Sequence, residues 1–276
     1  MRALEGRRAV VTGGAAGIGY ETALAFARQG AEVILCDINA ALLEQAREQL
    51  TAVGCRCLAL PCDVADDRSV ADFAQVVLAD GGPPDILVNN AGIGYLGPFE
   101  ETPVDTWRQL LDINVLGVVR CIQAFLPAMH EAGGERCIVN VASAAGVAPP
   151  PNLSAYAATK HAVVGLSEAL AMELRDTPIS VLVVCPGIIN TQIINAPAMT
   201  GPSISQGQQE RLVKYYREHG VLPSVVGKAI VRAVQRGKAY LFVGPLARES
   251  AVMAHLPRQL MRRLAVNGAR QIGYLP

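Results

Sequence analysis

Lysine is scarce in this chain, with four residues against twenty arginines, and tryptophan occurs once. Aromatic residues make up 5% and charged residues 17% of the 276 positions. The formal net charge is zero, from 24 basic and 24 acidic residues, which removes the global electrostatic case for nucleic-acid binding. The opening stretch "MRALEGRRAVVTGG" holds no apolar run long enough for a signal peptide or a spanning helix, so the chain is read as cytoplasmic. Paired cysteines are missing too. The seven cysteines, at 36, 55, 57, 62, 121, 137 and 185, form no CxxC and no His/Cys cluster, so buried free thiols and no metal site are expected. Repeats, low-complexity tracts and polar linkers are absent before about residue 190.

Hydrophobic residues, by contrast, make up 51% and can supply the core of one large domain. Short apolar runs recur at 7–12, 31–37, 55–61, 84–90, 136–143 and 179–187, and most are continuously apolar rather than alternating. That pattern suits parallel strands covered on both faces. Helix-length segments separate them at 17–29, 39–53, 66–79, 103–131 and 154–176. The βαβ rhythm predicts an α/β fold, a doubly wound, Rossmann-type, mostly parallel sheet whose ligands bind at the carboxyl ends of the strands. The rhythm is assigned to one domain over 1–245. Within it, 195–222 is rich in Gly, Pro and polar residues and reads as a substrate lid. The remainder, 246–276, reads as a basic amphipathic helical extension.

Directly after the first strand comes "TGGAAGIG", with glycines at 13, 14, 17 and 19 opening a helix. Glycines there let the backbone turn tightly against a pyrophosphate, whose charge meets the helix N-terminal amides. Asp37 ends the second strand, where a carboxylate can accept from adenosine ribose hydroxyls and repel a 2′-phosphate. Neither Ala16 nor Cys36 offers that phosphate a cation, so NAD is expected rather than NADP. Further on, "YAATK" places Tyr156 and Lys160 on one helix face, a spacing expected by chance roughly 0.1 times in such a composition.

With "NNAG" at 89–92, "CDV" at 62–64, Asn114 in "LDINVLG", Ser143 in "VNVASAAG" and "PGIINT" at 186–191, these motifs resemble the short-chain dehydrogenase/reductase family over about residues 5–245. The resemblance implies an oxidoreductase in which Ser143 hydrogen-bonds the substrate oxygen and Tyr156 is the general acid/base. It also implies that Lys160 favours the phenolate and that Asn114 holds a water relaying protons from Lys160. Gly13, Gly17, Ile18 and Gly19 of the turn, with Asp37, Asp63, Val64, Asn90, Ile189 and Thr191, would contact the cofactor, joined by Tyr156 and Lys160. A free phenol titrates near pH 10, so Tyr156 needs such help to act as a base. A homo-oligomer is implied as well, a tetramer or a dimer, pairing the helices over 103–131 and 154–176.

The loops at 93–98, 146–153 and 190–199 carry no charge, which favours a lipophilic alcohol or ketone over an anionic substrate. Past Pro245, five arginines (248, 258, 262, 263, 270) stand against Glu249, and Leu256, Leu260 and Leu264 recur every fourth residue. This tail is expected to pack as a lid or subunit contact, with membrane contact as the other reading. His130, His161, His219 and His255 point to no base or metal. Two rival functions stay open: an NADPH-dependent reductase of acyl-type ketones, and a non-catalytic dinucleotide-sensing protein on the same fold.

Overall fold

The apolar runs form strands because each is covered on both faces. The computed structural model of the chain describes residues 1, 3–191 and 200–275. Its sheet comprises β1 (Arg8–Thr12), β2 (Glu32–Asp37), β3 (Cys57–Pro61), β4 (Ile86–Asn89), β5 (Arg136–Val141), β6 (Ile179–Pro186) and β7 (Tyr240–Val243). Their spatial order is 3-2-1-4-5-6-7, with every neighbouring pair parallel. Along β2, Val33 and Leu35 enter one core while Ile34 and Cys36 enter the other. Two-fold alternation with both faces apolar yields an unbroken hydrophobic run.

One face is covered by α1 (Gly17–Ala27), α2 (Ala40–Ala52) and α8 (Pro223–Gln235), through Phe26, Leu50 and Ile230. The other is covered by α3 (Asp67–Gly81), α5 (Gly117–Ala132) and α6 (Ser154–Glu173), where Phe73 and Phe125 meet edge to face at 5.9 Å. Helix starts are set by side-chain caps: Asn39 accepts the Leu42 N–H, Asp66 that of Ser69, and Ser205 that of Gln208. All seven cysteines are free thiols, six of them buried.

The sequence pattern missed β7, a partly buried edge strand of four residues and too short to stand out. The single helix expected over 103–131 is divided, α4 (Val104–Leu111) passing through a π turn at Asp112–Leu116 into α5. This run is long and apolar enough by composition to cross a membrane, but Val118, Ile122 and Phe125 pack it into the core against the sheet. Residues 192–199, which hold most of the loop at 190–199 and the start of the lid segment, lie outside the described residues. The rest of that segment forms α7 (Gln206–His219), and the extension forms α9 (Ala247–Met253) and α10 (Arg258–Ile272).

Charge collects at the amino ends of the strands. Arg8, 7% exposed, lies in register with Glu32 and donates to its Oε1 at 3.2 Å, to Asp80 Oδ2 at 2.9 Å and to the Gly82 carbonyl. Arg136 and Arg7 flank Asp85 there in the same way. Removing one member strands its buried partners. Arg8→Ala is therefore expected to lower the unfolding free energy by about 2 kcal/mol or more in urea titrations, with dinucleotide affinity unchanged. A loss under about 0.5 kcal/mol, the scale of an ordinary surface change, would contradict this assignment.

Candidate active site

The opposite edge of the sheet gathers the polar motifs, beginning with the turn after β1. Thr12 Oγ1 accepts the N–H groups of Asn90 and Ala91, both at 3.0 Å. Asn90 in return donates from Nδ2 to the carbonyls of Thr12 (3.0 Å) and Gly13 (3.1 Å). The turn is thereby fastened to the loop after β4. No side chain fits inside it: a Cβ on Gly19 would lie 2.0 Å from the Gly13 oxygen, and one on Gly13 2.9 Å from the Ala91 Cα. Ala16 leads into α1 without any side-chain cap, so the first amides of that helix have no side-chain acceptor. A cradle of close backbone and open amides fits the pyrophosphate of a dinucleotide.

Asp37 stands beside that turn, its Oδ2 accepting from the Ala15 N–H at 3.2 Å and its Oδ1 from the Asn39 N–H at 3.0 Å. It does not cap the next helix, because Asn39 does that. Asp63 and Val64 follow β3. The Asp63 carboxylate accepts the Ala65 N–H at 2.9 Å, and Val64 packs where a Cβ on Gly117 would come within 2.9 Å. Thr191 reaches the turn from beyond β6, its Cγ2 3.9 Å from where a Gly17 Cβ would be.

Four expected catalytic residues meet next to this cradle. Tyr156 and Lys160 lie one turn apart on α6, and Ser143 follows β5. Burial raises the Tyr156 phenol above its ordinary value, while the nearby Ser143 hydroxyl draws it down. The Lys160 ammonium lies 5.8 Å from the Tyr156 ring centroid and donates to the Val141 carbonyl at 2.9 Å. It is 4% exposed, and burial lowers its pKa to about 8. In this geometry the Lys160 ammonium acts on the phenol through its charge alone, because it faces the ring and its hydrogen bond goes to the backbone.

Asn114 sits in the π turn, a distortion often found where a helix presents a functional group. Its amide pairs with residue 93 in both directions: Nδ2 donates to the Ile93 carbonyl and Oδ1 accepts the Ile93 N–H, both at 2.9 Å. Nδ2 also donates to Thr159 Oγ1 at 3.0 Å. A methyl on Gly92 would lie 3.0 Å from Asn114 Oδ1 and 3.5 Å from Lys160 Nζ, so the glycine leaves the space between them free.

Above these groups opens a cavity of about 270 Å³, walled by Ile18, Asn90, Ile189 and Thr191 on the cradle side. Leu96, Ala148 and Leu153 come from the uncharged loops. The remaining wall is made by Leu212 and Tyr216 of α7, within the segment read as a lid, and by Leu246, Met253, Ala269, Ile272 and Tyr274 of the extension, residues that the sequence pattern did not single out. Leu260 and Leu264 are 45% and 43% exposed; Leu264 nevertheless lines the cavity, together with Ala265, Gly268 and Ala269 of the same helix. A tyrosine at 274, in so aromatic-poor a chain, was the available signal.

A glycine cradle at the carboxyl edge of a parallel sheet, opening beside a serine–tyrosine–lysine cluster, defines a dinucleotide-type fold with a proton-transferring cluster at its ligand edge. The chain belongs to the short chain dehydrogenase family, whose sequence pattern matches residues 7–198. It is 37% identical over 258 residues to the probable oxidoreductase EphD of Mycobacterium tuberculosis, covering 92% of this chain and only 43% of that relative's length. It is also 32% identical to the putative oxidoreductase SadH of the same species, with 97% of each chain covered. Among solved structures, a short chain dehydrogenase/reductase from Burkholderia phymatum in complex with NAD superposes with a TM-score of 0.86 at 27% identity, covering 96% of this chain and 97% of that one.

The buried ammonium gives a pH test. Because Lys160 titrates at about 8 when folded against 10.5 ordinarily, the unfolded chain binds more protons between those values. The cost of holding the charge inside is fully present below pH 8 and fades towards pH 10.5. Stability of the unmodified protein relative to Lys160→Met should rise across that window, by up to about 3 kcal/mol. Urea unfolding of both proteins at several pH values checks this. A difference that does not move with pH would refute it.

Proposed function

We propose that the chain transfers hydride between NAD and a lipophilic secondary alcohol or the corresponding ketone, with Tyr156 moving the proton. The observation that carries this reading is that Ser143, Tyr156 and Lys160 line one apolar cavity that adjoins the glycine cradle. NAD, when bound, supplies the hydride acceptor. The turn from Gly13 to Gly19 would hold its pyrophosphate, Asp37 the adenosine ribose, Asp63 and Val64 the adenine, and Asn90, Ile189 and Thr191 the nicotinamide side.

Ser143 donates a hydrogen bond to the substrate oxygen and so fixes the alcohol against Tyr156. Tyr156 then removes the hydroxyl proton, or returns it in the direction of reduction. Burial alone would keep the phenol protonated, so the nearby Ser143 hydroxyl and Lys160 charge must favour the phenolate. Asn114, held by Ile93 and Thr159, borders the space that Gly92 leaves beside Lys160, where a water would carry the proton onward.

Two features support the specificity assigned. Among the described wall residues only Lys160 and Glu249 are charged, so an anionic substrate has no free cation to meet. Around Asp37 the neighbours Ala15, Ala16, Cys36 and Ile38 are uncharged, leaving nothing to accept a 2′-phosphate.

Tyr156→Phe should lower kcat about 10²–10⁴-fold, the range for losing a general acid/base, with NAD affinity changed less than several-fold. Substantial residual turnover in stopped-flow assays would show that another group carries the proton. Fluorescence titration of the unmodified protein should show tighter binding of NAD than NADP, and Asp37→Ala should narrow the gap. Tighter NADP binding would sink the cofactor assignment.

A further inference from the structure

Two phenols outside that chemistry, one buried and one partly buried, face the same cavity. Tyr216 comes from α7 and Tyr274 from the segment after α10, and their hydroxyls hydrogen-bond to each other. Tyr274 is held with care. Its carbonyl accepts from Asn152 Nδ2 at 2.7 Å and from Gln208 Nε2 at 3.3 Å, and Gln208 also donates to the Gly273 carbonyl at 3.1 Å. Asn152 adopts φ 60°, a left-handed conformation that costs of order 1 kcal/mol and persists only where the surroundings enforce it. Four parts of the chain therefore converge to set one aromatic ring at the cavity wall: the loop before α6, α7, the end of α10 and the Leu96 loop, whose Gly97 N–H donates to the Asn152 carbonyl at 2.8 Å.

Burial raises Tyr216 to about 12 and Tyr274 well above its ordinary value, so both hydroxyls are neutral donors at physiological pH. The pair uses one hydroxyl hydrogen internally. The second has no further partner among the described residues, although Leu96, Leu153, Leu212 and Leu246 surround it with apolar groups. A buried donor left without an acceptor is costly, and one aimed into a ligand cavity is satisfied by the ligand. Tyr156 lies close enough that its charge raises both phenols, which places the pair within one small molecule's reach of the reacting centre.

We infer that the Tyr216–Tyr274 pair is a second polar recognition point, and that the substrate carries, besides its reacting carbinol or ketone, another neutral oxygen at the far side of a compact apolar body. A ketone, hydroxyl or ester carbonyl fits. A carboxylate does not, because no free cation lines this wall and Glu249 adds a negative charge. The inference rests on the cavity being the substrate site.

The test uses decalin-2-one and decalin-2,6-dione, which differ by one carbonyl and are inert in the presence of oxidised NAD. Calorimetry on the NAD-loaded protein should show the dione binding ~10-fold tighter, beyond the twofold statistical advantage of its symmetry, as expected for one hydrogen bond in an apolar site. In the double variant Tyr216→Phe/Tyr274→Phe, which removes both donors, that ratio should fall to about the statistical value. Equal affinities in the unmodified protein overturn the inference without recourse to any variant. So does an equal loss of both ligands in the double variant, the mark of a merely structural role. Reduction assays with NADH run alongside: failure to reduce either ketone while the calorimetric ratio holds removes the redox reading and leaves the recognition point standing.

Discussion

A parallel sheet buried on both faces has only its two ends left for polar work, and this constraint organises the molecule. Alternate side chains of every central strand are consumed by one core or the other, down to Val33 and Ile34 as neighbours on opposite sides. Buried charges need partners, so the amino end becomes a closed network around Arg8, Glu32, Asp80 and Asp85. The carboxyl end is left with backbone amides, hydroxyls and carboxamides that are only partly spoken for. Stability and chemistry thus occupy opposite rims of the same sheet.

At the carboxyl rim the side chains serve one another before any ligand arrives. Asn90 braces the glycine turn, Asn114 braces the residue after Gly92, and Lys160 is held by the Val141 carbonyl. Each rigid contact limits how far the site must reorganise in the reaction, the general condition for electrostatic preorganisation. The buried ammonium is the exposed flank of this design. Its value of about 8 leaves a narrow margin between a cation that can influence Tyr156 and a neutral amine that cannot.

Much of this was legible in the sequence because it is local. The glycines at 13 and 19, Asp37 at a strand end and the four-residue spacing from Tyr156 to Lys160 each follow from a short stretch and a known backbone geometry. The other six strands were visible for the same reason, and β7 was not, since four residues at a partly buried edge carry too little apolar weight. What escaped was long-range. The bond from Asn152 to Tyr274 spans 122 positions, and no periodicity within α10 shows that Ala265 and Ala269 join Leu264 at the cavity. Lys160's orientation escaped as well, because spacing places a side chain on a face without saying which acceptor it meets.

The two halves of the site also differ in when they can exist. Every group that shapes the cradle, from Thr12 through Asp37 to Ala91, belongs to the first third of the chain, whereas the cavity wall waits for Tyr274. During synthesis the cradle's residues leave the ribosome while some 180 residues before Tyr274 are still to be made. A growing chain can therefore assemble the phosphate-binding edge of its sheet early, yet it has no closed chamber for a second reactant until the final helix docks.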